Sequence, residues 1–544
     1  MGHTTTAVAD IAPQNNATKM QLLQLFLLVF FTVLYNFFFW NEDWGLNLFI
    51  FNSLILMALC YLFKENLPKN QLAWLLLSGT ILASLAVLYH NTLNSKIAWI
   101  ISFIATTASL QIPRLHLLLN TWIFSIINLF SSFKGVSGEI SQIFSTKNSS
   151  AKSKKISRNL KLAIIPAVIF VVFYVIFLGA NPVFADYNNL IFGEIGKFIE
   201  NLVENISFER IIFILFGFWL ISAVIYRWNI DKKFDSLGIF GVDLITKKKR
   251  VKQIFSKKNI QIANSQGYDL QNLQNQYNQQ NQQSSFKSLD LKNEVQMAFL
   301  VVISVNLLLL VVNIIDIRFL WFGFNPSPTV SLASLVHQGT YMLIFSILLS
   351  MAILMYYFRY NINFYKKNKL LKTLAIVWLV QNGILIISVF FRCYYYISEF
   401  GLAYKRIGVI VFLILTIIGL ITFYSKIKDK KSAYYLLRVN SLAAYAMLIA
   451  MSFVNWDNFI VSENLKHPNW STKGDIAFTT SRSDSTLPIL YDNIKKINLK
   501  AAEMNISSII HLDNRKENFI KNYKSTSWLS WNATSASVYA RLKE

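Results

Sequence analysis

Residues 296–315 read QMAFLVVISVNLLLLVVNII. They carry no charge, and as a helix rising about 1.5 Å per residue they reach across the roughly 30 Å of a bilayer's hydrocarbon. No two-residue alternation marks a half-buried strand. The stretch predicts a transmembrane helix. Ten others follow its pattern: 21–40, 44–63, 71–89, 97–112, 162–180, 211–226, 339–358, 373–391, 407–424 and 439–454. Of these, 97–112 and 211–226 are short for a crossing. Together they predict an all-α fold, a polytopic transmembrane helix bundle of about eleven spans with a small, mostly helical extracytoplasmic C-terminal tail.

Composition points the same way. Of 544 residues, 54% are apolar and 15% charged, where soluble domains carry about 25% charged residues. A disordered, collagen-like or disulfide-stapled chain is excluded. Cys60 and Cys393 lie in apolar surroundings and give neither a redox framework nor a thiolate metal site. The net charge is +24, from 52 Lys and Arg against 28 Asp and Glu. On a soluble chain that excess would point to nucleic acid; in a polytopic protein it belongs to cytoplasmic loops. With the N-terminus in the cytoplasm, residues 1–20 and loops 64–70, 113–161, 227–295, 359–372 and 425–438 hold 33 Lys and Arg, against 7 in the short outer loops. The expectation is a bacterial inner (plasma) membrane protein with a cytoplasmic N-terminus and a periplasmic C-terminus. Its partners are membrane lipids, with no nucleic acid.

Seven segments follow from this topology. Residues 1–20 form a cytoplasmic N-terminal segment, and 21–112 the first four spans. An interfacial or re-entrant helix and a basic cytoplasmic loop occupy 113–161; the alternative is that Leu115–Phe130 spans, which would invert every upstream segment. A transmembrane pair, with an outer amphipathic segment at 181–210, occupies 162–226. Loop 227–295 is basic at Lys247–Arg250 and then Gln/Asn-rich, a composition expected to stay disordered. Five spans fill 296–454. The periplasmic tail, 455–544, offers a surface to a protein partner, with Trp528 and Trp531 as core or membrane-interface anchors.

No zincin, phosphate-loop, nucleophile-elbow or Cys-x-x-Cys motif is present, and the six histidines are scattered. No catalytic residue, metal or cofactor is assigned. Polar residues inside apolar spans carry more weight, because each is costly unless it faces the bundle interior or water. Asn306, Gln381 and Asn382 are such residues, serving either as interhelical hydrogen-bond glue or as a polar path. Charge collects at the outer helix ends in Asp316, Arg318, Arg392, Glu399, Lys405 and Arg406, with Tyr396 and Gly401 completing the candidate site. An Arg fork matches carboxylate and phosphate. This set therefore either holds an anionic headgroup or substrate, or ties a short loop with ion pairs.

Several blocks occur in a characteristic order. They are Trp44-Gly45-Leu46-Asn47, Ala180-Asn181-Pro182-Val183-Phe184-Ala185 and His337-Gln338-Gly339-Thr340-Tyr341. The element Arg392-x-x-x-Tyr396-x-x-x-x-Gly401-Leu402-x-x-x-Arg406 follows, and then Trp528-Leu529-Ser530-Trp531-Asn532. The ordered set resembles an uncharacterised bacterial polytopic inner-membrane family, domain of unknown function 4173, related to 4153. One departure is Ile460-Val461-Ser462-Glu463-Asn464, where that family tends to have Ile-Ala-Arg-Tyr-Asn. The resemblance implies an inner-membrane location and a helical tail, and no established activity. Glu42-Asp43, in the first outer loop, resembles on two residues only the acidic pair of membrane glycosyltransferases.

Three functional classes stand side by side. The first is a membrane scaffold, regulatory or envelope-related protein. A secondary transporter with a polar path near Asn306 and Gln381/Asn382 is the second. The third is a membrane enzyme acting on a lipid-linked or anionic substrate at the outer face.

Overall fold

The computed structural model describes residues 11–143, 208–227, 270–322, 332–358, 362, 368–470, 475–503 and 508–543. The chain forms two compact units. One comprises Met1–Phe240, Leu448–Asn455 and Arg515–Glu544; the other comprises Gly241–Met447 and Trp456–Asn514. The architecture is all-α, with no strand among the described residues. Eight described helices are long and apolar enough to cross a membrane, and Leu46–Leu62 and Leu118–Ser132 are shorter apolar helices.

The first unit contains α1 (Ile11–Phe39), α2 (Leu46–Leu62), α3 (Gln71–His90), α4 (Leu93–Gln111), α5 (Leu118–Ile143) and α6 (Phe208–Ile225). Local chemistry sets several of these ends. The Asn70 side chain accepts the N–H of Leu72 to start α3, and Thr92 accepts that of Ser95 to start α4. Between them Asn91 adopts the left-handed conformation (φ 49°) that ends α3. The α3–α4 hairpin packs through small residues, Ala83, Ser84 and Ala86 against Ala98, Ser102 and Ala105, all fully buried. Small side chains let the backbones approach, and the Thr80 and Thr106 hydroxyls meet at 2.7 Å. Leu28, Phe31, Phe51 and Ile221 form the neighbouring core.

The second unit contains α7 (Leu270–Asp316), a π turn (Ile317–Trp321), α8 (Leu332–Tyr357), α9 (Lys369–Phe400) and α10 (Tyr404–Asp429). Next come α11 (Ala433–Ser452), whose last turn belongs to the first unit, and α12 (Trp456–Lys466). Its core centres on Trp378, Phe358, Phe423 and Ile347. Leu300, Leu307, Val311 and Ile314 of α7 are exposed, whereas Asn306 and Asn313 are buried. A helix with its aliphatic side chains outward and its amides inward is arranged for hydrocarbon rather than water. The protein is membrane-embedded.

Several expectations change. The Gln/Asn-rich tract is helical from Leu270 onward, continuous with the apolar half of α7, where a disordered loop was expected; 259–269 lie outside the described residues. Extending an existing helix adds one hydrogen bond per residue without a new nucleation cost, so the apolar half carries the polar one. The helix expected within 113–133 is α5, which runs on to Ile143 and packs on α4 and α6 with Phe124 fully buried. The tail expected as one segment divides instead, 456–514 with the second unit and 515–544 with the first. Trp528 and Trp531 are exposed, so neither is a core anchor. The span 162–180 and residues 181–207 of the outer amphipathic segment lie outside the described residues.

Candidate functional site

The polar residues of α7 and α9 meet along one seam. Gln381 Nε2 donates to Asn306 Oδ1 at 2.8 Å, and Asn306 Nδ2 donates to the carbonyls of Val302 and Leu374. One heptad higher, Asn313 Nδ2 donates to the Gln381 carbonyl at 3.1 Å. Above that, Trp321 Nε1 donates to Ser388 Oγ and the Tyr395 hydroxyl to the Leu320 carbonyl. On α9 the partners Leu374, Gln381, Ser388 and Tyr395 recur every seven residues, the spacing that keeps a seam facing one neighbour. Asn382 is buried beside it and donates back to the Trp378 carbonyl. The oxygens Asn313 Oδ1, Gln381 Oε1 and Asn382 Oδ1 have no protein partner among the described residues.

Arg392 and Asp316 close the top of the seam. Arg392 Nη2 lies 2.5 Å from Asp316 Oδ1, and both side chains are about nine-tenths buried. The pair is single-pronged: Arg392 Nε and Asp316 Oδ2 make no other contact among the described residues. Asp316 is the last residue before the π turn, a helical irregularity that re-aims side chains and recurs at functional sites. Arg318, on that turn, is exposed and makes no ion pair among the described residues. The ion-pair alternative thus describes Arg392.

The α9–α10 connection is built differently. Gly401 ends α9 at φ 75°, ψ −161°, a conformation open to glycine alone. A β-carbon there would also collide with Asn464 Oδ1. Asn464, on α12, accepts the N–H of Leu402 at 2.6 Å and donates to its carbonyl at 2.9 Å. Arg406 donates to the carbonyls of Phe400 and Gly401 and stacks 4.4 Å from the Tyr396 ring centroid. Tyr404 donates to Asp457 at 2.9 Å, tying α10 to the start of α12. Together these elements bound a cleft of about 130 Å³, whose lining includes Glu399, Gly401, Arg406, Asn464, His467 and Asp475. Arg392 and Asp316 do not line it.

Comparison with known families adds one assignment. The model of the family described as a domain of unknown function (DUF4153) matches residues 51–493. The chain belongs to that family. No curated protein and no solved structure matches it. The DUF4153 region holds both the α7–α9 seam and the cleft, whereas the blocks at Trp44 and Trp528 fall outside it.

Those two outlying blocks bind each other. Glu42 Oε2 accepts the hydroxyls of Ser527 and Ser530, each at 2.6 Å, and Leu46 N–H donates to the Trp531 carbonyl at 2.9 Å. Glu42 thus docks the C-terminal segment. Gly45 permits this approach, since a β-carbon there would lie 2.5 Å from the Trp531 carbonyl oxygen. Asn47 holds the receiving turn, accepting from Gly45 N–H and donating to the Phe38 and Asp43 carbonyls.

Asn464 and Asn47 stand in the ordered sequence blocks without a role there. An Asn close to a helix end is the available signal, since its amide can serve an N–H and a C=O together. Lys426 carries no sequence signal of its role: it is 2% exposed and donates to the Phe358 carbonyl at 2.9 Å. His337, Gln338 and Gly339 fall in α8, their side chains outside the description, and Ala180–Ala185 lies outside the described residues.

Proposed function

We propose that this DUF4153 protein is a scaffold, regulatory or envelope-related protein of a bacterial inner membrane, related to the domain of unknown function 4173. Its N-terminus is cytoplasmic and its tail periplasmic, presenting a surface to a protein partner. One observation carries the proposal. The amide N–H groups of Asn306, Asn313, Gln381 and Asn382 all donate to protein oxygens, three of them across the α7–α9 seam. Amides used in this way hold helices together.

A permease is the second reading, favoured by the three unpartnered oxygens along the same helices. The outer-face enzyme reading rests on the cleft at Arg406, which at about 130 Å³ admits a headgroup-sized moiety only. Cysteine accessibility separates scaffold from permease. In membrane vesicles, on a Cys60→Ala/Cys393→Ala background, Asn306→Cys and Gln381→Cys should resist a charged, water-soluble thiol reagent. Rapid labelling of either would replace the scaffold with a water-filled path.

A further inference from the structure

The first unit contains a cavity of about 450 Å³ bounded by α1, α2, α4, α5 and α6. That volume falls within the roughly 300–1,000 Å³ of small-molecule sites. Its wall is carbon, dominated by Phe39, Phe51, Trp99, Phe103, Phe213 and Leu220. Five polar side chains on the wall are already engaged within the protein, and Tyr35 and Trp44 add a hydroxyl and an indole N–H. Gln111 donates to the Ala223 and Val224 carbonyls, and Asn128 to Gln111, Ala223 and Tyr226. Thr107 donates to Phe103, Ser125 to Ile104, and Trp99 to Asn52. The cavity therefore offers a ligand mainly apolar contact.

Its length and openings narrow the ligand. On α4 the lining runs from Trp99 to Gln111, about 18 Å at a rise of roughly 1.5 Å per residue. An extended acyl chain matches that length. The lining residues Ile100, Ile104, Ile126 and Phe216 are also exposed on the unit's surface, so the cavity opens sideways among side chains suited to lipid. One end is closed by the Gln111–Asn128 amide network. At the other, Trp44 and Trp99 pack edge to face, and Lys96 Nζ stands 5.9 Å from the Trp44 ring centroid. Trp and Lys at a helix end mark the membrane interface.

We propose that this cavity holds one acyl chain of a membrane phospholipid, its glycerol and headgroup at the Trp44–Trp99 end and its methyl end toward Gln111. A phosphatidylethanolamine carrying a diazirine, either at the chain terminus or beside the glycerol, tests this. Each is incorporated in turn into nanodiscs holding the full-length protein. After photolysis the chain-terminus probe should label peptides around Thr107 and Val224 about fivefold more than the exposed α10 face at Ile414 and Ile421, as a site that encloses its ligand requires. The glycerol probe should favour Trp44 and Trp99. Filling the cavity with Ile104→Trp and Leu220→Trp should bring the lining down to the α10 level, while Ile414→Trp changes nothing. Lining labelled no more than α10 in the unsubstituted protein overturns the proposal, and that comparison does not depend on the variants folding. Labelling that survives in a folded filled variant, or the reverse order of the two probes, also overturns it.

Discussion

Asn464 holds Leu402 by both of its backbone polar groups, accepting the N–H at 2.6 Å and donating to the carbonyl at 2.9 Å. Removing the amide leaves two backbone groups without their partner. Asn464→Ala should destabilise the protein by about 1–3 kcal/mol. Asn464→Asp should cost at least as much, because it keeps the acceptor but sets a buried carboxylate against the Leu402 carbonyl. Gly401→Ala should lose about 1–3 kcal/mol from backbone strain alone. Because Asn464 also blocks the new β-carbon, the double variant should lose less than the sum. Thermal unfolding of the detergent-solubilised protein checks the cycle; strict additivity would show that the two residues are uncoupled.

The Arg392–Asp316 pair should behave as a buried ion pair. Arg392→Gln or Asp316→Asn should each cost about 3–5 kcal/mol, since one charge is left buried and uncompensated. The contact is single-pronged, so Arg392→Lys should keep most of the stability. Equal losses for Lys and Gln would mean that the guanidinium fork, rather than the charge, is what the seam requires. Replacing both partners together with Leu and Met should do less harm than either single change.

Glu42 anchors the C-terminal segment through charge-assisted hydrogen bonds to Ser527 and Ser530. Glu42→Gln, or Ser527→Ala with Ser530→Ala, should weaken docking by about 1.5–3 kcal/mol. Limited proteolysis followed through a C-terminal epitope should show faster loss of the tag. Gly45→Ala should do the same through steric exclusion of Trp531. An unchanged cleavage rate in all three would place the anchor elsewhere.

Sidedness follows from the loop charges. Reporter fusions after Ser285 and after Lys543 should report opposite compartments, cytoplasmic for the first and periplasmic for the second. Both in one compartment would require a different number of crossings between them.

The membrane solvent and the main helices are legible in the residues alone, because a twenty-residue apolar run such as 296–315 has only one low-cost way to cross hydrocarbon, with its backbone bonds satisfied internally. The starts and stop at Asn70, Thr92 and Gly401 are set locally, where one side chain or one backbone conformation acts within a few residues. Asn306, Gln381, Arg392 and Asp316 were visible as costly polar residues, yet their partners were not. Asn306 meets Gln381 75 residues away, Arg392 meets Asp316 76 away, and Glu42 meets Ser527 485 away. Helical period fixes which face a side chain occupies, but not which helix lies opposite. Tertiary packing alone made Arg392 a seam closure rather than a cleft residue, gave Asn464 its grip on Leu402, and divided the tail between two units. The Gln/Asn-rich tract failed for a related reason: composition weighs a segment alone, whereas α7 extends into it from an apolar helix already formed.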